Sequence, residues 1–138
     1  MREIKFRAWD KKRKSMFVPD SFVFDENTGE IMSVWRKGTD GETIGGLDPR
    51  KGRLILMQNA GLKDKNGREI YEGDVLDIGL RNQDGKPVIA PVSYETYAAG
   101  YVLDNGGNGI WQRLTKDCEV IGNIFENPEL LEGKHEQK

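Results

Sequence analysis

The chain has 138 residues, of which 36% are hydrophobic and 17 are glycine, and it carries a formal charge of −2. That length supports a sizeable core without disulfide or metal, and the glycine content favours turns and β-structure over a helical bundle. A pI near 5.5 gives no whole-molecule attraction for nucleic acid or anionic membranes, and a single cysteine, Cys118, excludes an intrachain disulfide scaffold.

The first stretch, "REIKFRAWD", alternates charged and apolar residues, which predicts a half-buried strand with Ile4, Phe6 and Ala8 on one side and Glu3, Lys5, Arg7 and Trp9 on the other. Residues 1–14 hold seven Lys and Arg against two Asp and Glu, a local charge of +5, whereas the chain from Asp117 onward is acidic. No apolar core of signal-peptide length is present in this stretch, and no later run is long enough to cross a bilayer, so a soluble cytoplasmic protein is expected. "DKKRKSM" supplies a polar tip. Short strands follow around Phe22 to Phe24 and Ile31 to Trp35, joined by a turn at Asn27-Thr28-Gly29.

From Gly38 to Arg53 the chain holds five glycines and one proline without sustained periodicity, which predicts a long loop, interrupted at most by a short helix. "LILMQN" from Leu54 reads as a buried strand. It leads into "GLKDKNGREIYEGDVLDIG", where Asn66-Gly67 signals a hairpin and Glu72-Gly73-Asp74 interrupts the returning run with a bend. The Asp74 carboxylate is expected to accept bonds from amides that this bend frees. Downstream come another turn at Asp84-Gly85, a moderately β-prone segment from Ser93 to Asp104, a flexible tip at Asn105 to Gly109, and a buried strand in "CEVIGNIF". "ENPELLEG" predicts a helix start with Asn127 as cap and Pro128 in the first turn, ending before Gly133, with 134–138 as a disordered tail. The fold expected from these signals is mainly β: a small barrel or strongly bent antiparallel sheet with a long loop and a short C-terminal helix, in one domain over 1–133.

Few catalytic constellations fit the residues available. The single histidine, His135, falls in the expected tail, which leaves no base for a Ser/His/Asp or Cys/His arrangement. One Cys and one remote His do not make a zinc site, and "DKNGRE" lacks calcium-ligand spacing. "DNGGNG" lacks the Gly-Lys-Ser/Thr ending of a phosphate loop. Glu72, Asp74 and Asp77 are close enough in sequence for acid–base work only if burial separates their pKa values. No catalytic set, metal or cofactor is therefore expected. The basic and aromatic residues allow a different reading, in which Arg7, Lys11, Lys12, Arg13 and Lys14 clamp phosphates while Trp9 stacks a base, with Tyr71, Trp35 and Trp111 extending the platform.

Three stretches, "IKFRAWDKKRKSM", "LMQNAGLKDKNGREIYEGDVL" and "EVIGNIFENPELLEG", together resemble the YopX family of phage and prophage proteins. The resemblance implies a phage-borne or prophage-borne gene, a bacterial cytoplasmic setting and a domain similar to an SH3-like β-barrel, and it carries over no catalytic residues. Family members commonly have an aromatic or threonine where Asn59 and Ala60 stand, and Pro19 to Arg53 and Asn82 to Trp111 fall outside the matched pattern. The leading expectation is a non-enzymatic accessory module that binds a host or phage macromolecule, with self-association left open. A barrel mouth or sheet edge would then hold the partner, and Trp9, Lys63, Asp64, Tyr71 and Asp74 are the candidate contact residues. Its alternatives are a nucleic-acid-binding module using the basic arm and a hydrolase working with carboxylates alone.

Overall fold

The computed structural model describes residues 4–37, 44–95, 100–104, 111–113 and 117–131. Twelve strands and one 3-10 turn account for most of them, and the fold is mainly β, with a strongly curled antiparallel sheet and a short C-terminal helical turn. The chain forms two compact units, Lys5–Met57 and Gln58–Lys138, the latter joined by Met1–Ile4.

In the N-terminal unit, β1 (Phe6–Asp10) and β2 (Ser15–Phe17) form a hairpin with Ala8 opposite Phe17 and Asp10 opposite Ser15. Alternation along β1 buries Ala8 and Asp10 fully and leaves Phe6, Arg7 and Trp9 half-buried. A second antiparallel sheet comprises β3 (Ser21–Phe24), β4 (Ile31–Arg36) and β5 (Ile44–Leu47), in that order. The turn between β3 and β4 closes where the Asp25 amide donates to the Glu30 carbonyl at 2.7 Å, and the Asp25 carboxylate accepts the Asn27 amide at 2.8 Å. Ala8, Phe17, Val34 and Leu54 make the core of this unit, with Phe22, Ile31, Leu47 and Leu56 packed against it. Phe6 meets Phe22 edge to face, their ring centroids 5.2 Å apart.

The region expected to be one long loop is more regular than its composition suggests. Leu47 pairs in register with the buried Val34, so the tertiary contact recruits a glycine-rich tetrapeptide into a strand. A 3-10 turn, Pro49–Lys51, follows; Asp48 caps it by accepting the Arg50 amide at 2.9 Å. Residues 38–43 of the expected loop lie outside the described residues.

A ten-residue strand, β6 (Leu54–Lys63), runs through the boundary between the units, well past the apolar run that signalled it. In the C-terminal unit its end pairs with β7 (Glu69–Tyr71), and a five-stranded sheet follows from β8 (Asp74–Arg81), β9 (Pro87–Glu95), β10 (Gly100–Asp104), β11 (Trp111–Arg113) and β12 (Glu119–Asn123). The strand order is β11-β10-β9-β8-β12. Lying between β9 and β12, β8 buries Asp74, Val75 and Leu76 in succession rather than alternately. Register shifts between Asp77 and Arg81 and between Val120 and Gly122 contribute to the curl. Ile70, Leu76, Ala90, Val92, Leu103, Cys118 and Val120 form the core.

Two expectations take a more particular form here. The segment from Ser93 to Asp104 is two antiparallel strands, Tyr94 opposite Tyr101, whose aromatic pair at 5.3 Å favours folding the segment back on itself. Asn127 directs its Oδ1 back to the Asn123 amide at 3.2 Å, while Asn123 Oδ1 accepts the amides of Phe125 and Glu126 at 3.0 and 2.8 Å. The Asn127 carbonyl accepts the Leu130 amide at 3.1 Å, so Asn127 does head the helical turn at 129–131, while Asn123 holds the chain reversal before it. The tip at Asn105 to Gly109, Gly133, and the tail 134–138 with His135 lie outside the described residues.

Candidate functional site

The motif around Asn66-Gly67 is a five-residue connection between β6 and β7, with Gly67 at φ 83° as its positive-φ residue. Asp64 organises it. Its amide donates to the Arg68 carbonyl at 2.8 Å, its Oδ1 accepts the amides of Asn66 and Arg68, both at 2.9 Å, and its Oδ2 reaches across to accept the Val120 amide of β12 at 2.9 Å. The adjacent Lys65 amide donates to the carbonyl of Cys118, just before β12, at 2.9 Å, and its Nζ lies 3.2 Å from Glu119 Oε2 at the start of that strand. Burial of Asp64 opposes its ionisation, but the amides of Val120, Arg68 and Asn66 outweigh that cost and hold the carboxyl below its ordinary range.

Asp74 does the related task at the bend. Its Oδ2 accepts the Tyr71 amide at 2.8 Å, while Gly73, at φ 83°, donates to the Val92 carbonyl and accepts from the Ile124 amide, each at 2.9 Å. The Glu72 side chain caps the Gln58 amide at 2.9 Å, and the Tyr101 hydroxyl donates to Gln58 Oε1 at 2.7 Å. Gln58, Glu72 and Tyr101 thus form a polar network that no local motif announced. Of the five residues expected to contact a partner, Lys63 is exposed, Trp9 and Tyr71 are half-buried, and Asp64 and Asp74 are buried on backbone amides. Trp9 belongs to the N-terminal unit and the other four to the C-terminal one.

The basic residues expected to meet phosphate are placed differently. Lys11, Lys12, Arg13 and Lys14 are all exposed on the turn between β1 and β2, whereas Arg7 is half-buried within β1. Asp10 fixes the turn by accepting the Lys12 and Arg13 amides at 2.9 and 3.3 Å. Arg53 closes on the same carboxylate with Nε and Nη2 at 3.0 and 2.9 Å. That bidentate bond is the main cause of a lowered Asp10 pKa, opposed by burial and assisted by the two amides.

A recess lies beside the paired strands β3 and β4. It has a volume of about 710 Å³ and is lined by Asp20, Ser21, Trp35, Arg36 and Lys37. Trp35 is 43% exposed, yet its ring lies over the Gly45-Gly46 backbone: a Cβ added at Gly45 would stand 2.6 Å from Cε3, and one at Gly46 3.7 Å from Cζ2. The carboxylate of Asp20 accepts the Lys37 amide, and the Arg36 guanidinium lies over the Phe17 ring at 5.7 Å. Sequence reasoning singled out Trp35 as an aromatic alone; Asp20, Ser21, Arg36, Lys37 and the two glycines it missed. The one available signal was the adjacency of Trp35-Arg36-Lys37. The side chain of Trp111, the other platform candidate, lies outside the described residues.

Among the described residues, no group of three or more His, Cys, Asp or Glu is placed to hold a metal ion, and no helix is long and apolar enough to cross a membrane. The structure therefore defines a mainly β protein of two compact units whose buried carboxylates brace turns and whose open recess is aromatic and basic. The sequence pattern of the family described as YopX protein matches residues 5–132, and the chain belongs to that family. It is similar to the crystal structure of protein EF1440 from Enterococcus faecalis, with 28% identity and a TM-score of 0.65, over 96% of this chain and 100% of that one. Protein yopX from Bacillus subtilis shares the fold at 23% identity and a TM-score of 0.59, over 96% of this chain and 98% of that one. No curated protein matches the sequence.

Proposed function

We propose that this YopX-family chain is a non-enzymatic accessory module that acts by binding a macromolecule of a phage or of its bacterial host, in the cytoplasm. The observation that carries the reading is the use of Asp64 and Asp74. Both are buried, and both direct carboxylate oxygens at backbone amides, so the acidic residues nearest the family's central motif serve as braces rather than as proton carriers. Affinity capture with the tagged chain from phage-infected bacterial lysate, with and without nuclease, tests it. A stoichiometric macromolecular partner supports the module. Turnover of any substrate that is lost in Asp64→Asn or Asp74→Asn protein of unchanged fold overturns it.

A nucleic acid is the second reading. The exposed Lys11–Lys14 turn favours it, together with the charge of the N-terminal unit, where eleven Lys and Arg against eight Asp and Glu give +3. Neutralising the four basic residues of the turn to Ala is expected to abolish low-salt binding of DNA or RNA; unchanged binding removes this reading.

A further inference from the structure

We infer that the recess around Trp35 is a binding site for a nucleotide unit, with the base stacked on the indole and the phosphate held by Lys37. The inference rests on the binding-module reading above and gives it a ligand chemistry and a place. Its first support is the seating of Trp35. The ring spans two residues that lack side chains, and a Cβ at Gly45 would collide with it. A ring braced in this way loses little rotamer freedom on binding, which is the property that makes a side chain an effective stacking surface. Yet 43% of it stays open, although the sheet it belongs to has a core on its other face, where Val34 is fully buried.

The second support is the polar rim. Arg36 and Lys37 follow Trp35 directly and line the same recess, against a single carboxylate, Asp20, which accepts the Lys37 amide. Because the Asp20 carboxylate is engaged by that backbone amide, the Lys37 ammonium is the group that can meet an anion. The Arg36 guanidinium lies over Phe17, on the Val34 side of the sheet, so Lys37 is the cation that shares the face of Trp35. Ser21 adds a hydroxyl able to bond a sugar or base edge. A planar ligand carrying negative charge on one side fits this set better than an aliphatic or cationic one. The volume, about 710 Å³, accommodates one nucleotide unit. The unit's net charge of +3 would draw a strand toward the site despite the acidic whole.

Free nucleotides and single-stranded nucleic acid both present this chemistry, and one experiment separates them. Uniformly 15N-labelled full chain is titrated at low salt with adenosine monophosphate and, separately, with a fluorescein-labelled oligothymidylate, following the three indole N–H resonances. Trp35→Phe assigns the Trp35 signal, and the label's anisotropy gives affinity. The expected result is a saturable shift of the Trp35 indole, with affinity reduced about tenfold by Trp35→Leu and similarly by Lys37→Glu at unchanged melting temperature. A response to the oligonucleotide alone, or much the tighter to it, identifies a strand as the source; a response to the mononucleotide alone identifies a free nucleotide. If Trp35→Leu does not fold, the Lys37→Glu protein and the wild-type titration still decide the matter.

Silence of the Trp35 resonance with both ligands overturns the inference. So does oligonucleotide binding that shifts only the Lys11–Lys14 turn. Either result leaves the module reading standing if a nuclease-resistant protein partner is captured, whereas consumption of the nucleotide during titration overturns the module reading.

Discussion

The two units each close a turn with a buried aspartate, but they satisfy it in opposite ways. In the C-terminal unit, Asp64 is held chiefly by backbone amides from its own hairpin and from β12, with the charge of Arg68 adding a smaller attraction. In the N-terminal unit, Asp10 takes two amides and a bidentate guanidinium from Arg53, forty-three residues away. The acidic unit thus uses an anion as a backbone brace and the basic unit uses one as half of an ion pair. The units also differ in charge: residues 58–138 hold nine Lys and Arg against fourteen Asp and Glu, a net −5, while residues 5–57 have +3. A bonded guanidinium joins the turn amides on Asp10, whereas Asp64 is bonded by amides only and feels Arg68 through its charge.

The sharpest way to break this comparison is Asp64→Ala. Three amides lose their acceptor, one of them on a different strand, and the expected loss is about 3 kcal/mol of unfolding free energy by urea titration. Loss confined to the hairpin, with β12 amides still protected from hydrogen exchange, would show that Asp64 braces only its own turn.

Asp10→Asn is expected to cost less, about 2 kcal/mol, because the amide side chain retains one acceptor for the turn while Arg53 turns toward solvent. An effect equal to that of Asp64→Ala would erase the distinction between brace and ion pair.

Acid titration sharpens it further. Both carboxyls are held below their ordinary range in the folded chain, Asp10 chiefly by Arg53 and Asp64 by amides acting against burial. Each therefore contributes stability that is fully present above the unfolded carboxyl value of about 3.9 and is lost as pH falls through the lower folded value. Wild-type unfolding free energy is expected to drop steeply below roughly pH 4, with a shallower drop in Asp64→Asn. Parallel curves would mean that Asp64 titrates alike in both states.

Gly45→Ala tests the recess with a smaller effect. The added methyl displaces the Trp35 ring, at an expected cost of about 1 kcal/mol, and moves the Trp35 indole resonance in the absence of ligand. The smallest effect belongs to Arg50, an exposed residue bridging Asp25, Glu30 and Asp48 at 3.5, 3.3 and 3.0 Å. Arg50→Ala is expected to lower the melting temperature only slightly, and the deficit should shrink in high salt.

Much of the fold was legible locally. Asn66-Gly67, Asn27-Thr28-Gly29 and Asp84-Gly85 mark turns because their backbone preferences are intrinsic, and Gly73 marks a bend for the same reason. Alternation in "FRAWD" gave β1, and the apolar run at Leu54 gave the start of β6. What local signals left undetermined shares a cause. Gly45-Gly46 enters a strand because Leu47 meets Val34, and the segment from Ser93 folds in two where Tyr94 meets Tyr101; neither contact leaves a periodic trace.

The candidate sites divide along the same line. Local chemistry determined that Asp74 would receive amides at a bend, and that four basic residues would crowd one tip. Whether an aspartate is a brace or a free acid depends on partners such as Val120, fifty-six residues from Asp64, and only tertiary structure supplies those. The same holds for Trp35, which becomes a braced, open ring because two glycines ten and eleven residues onward pass beneath it. Composition and turns set the class of this protein by short-range backbone energetics; burial and long-range hydrogen bonding decided which of its side chains remain available for binding.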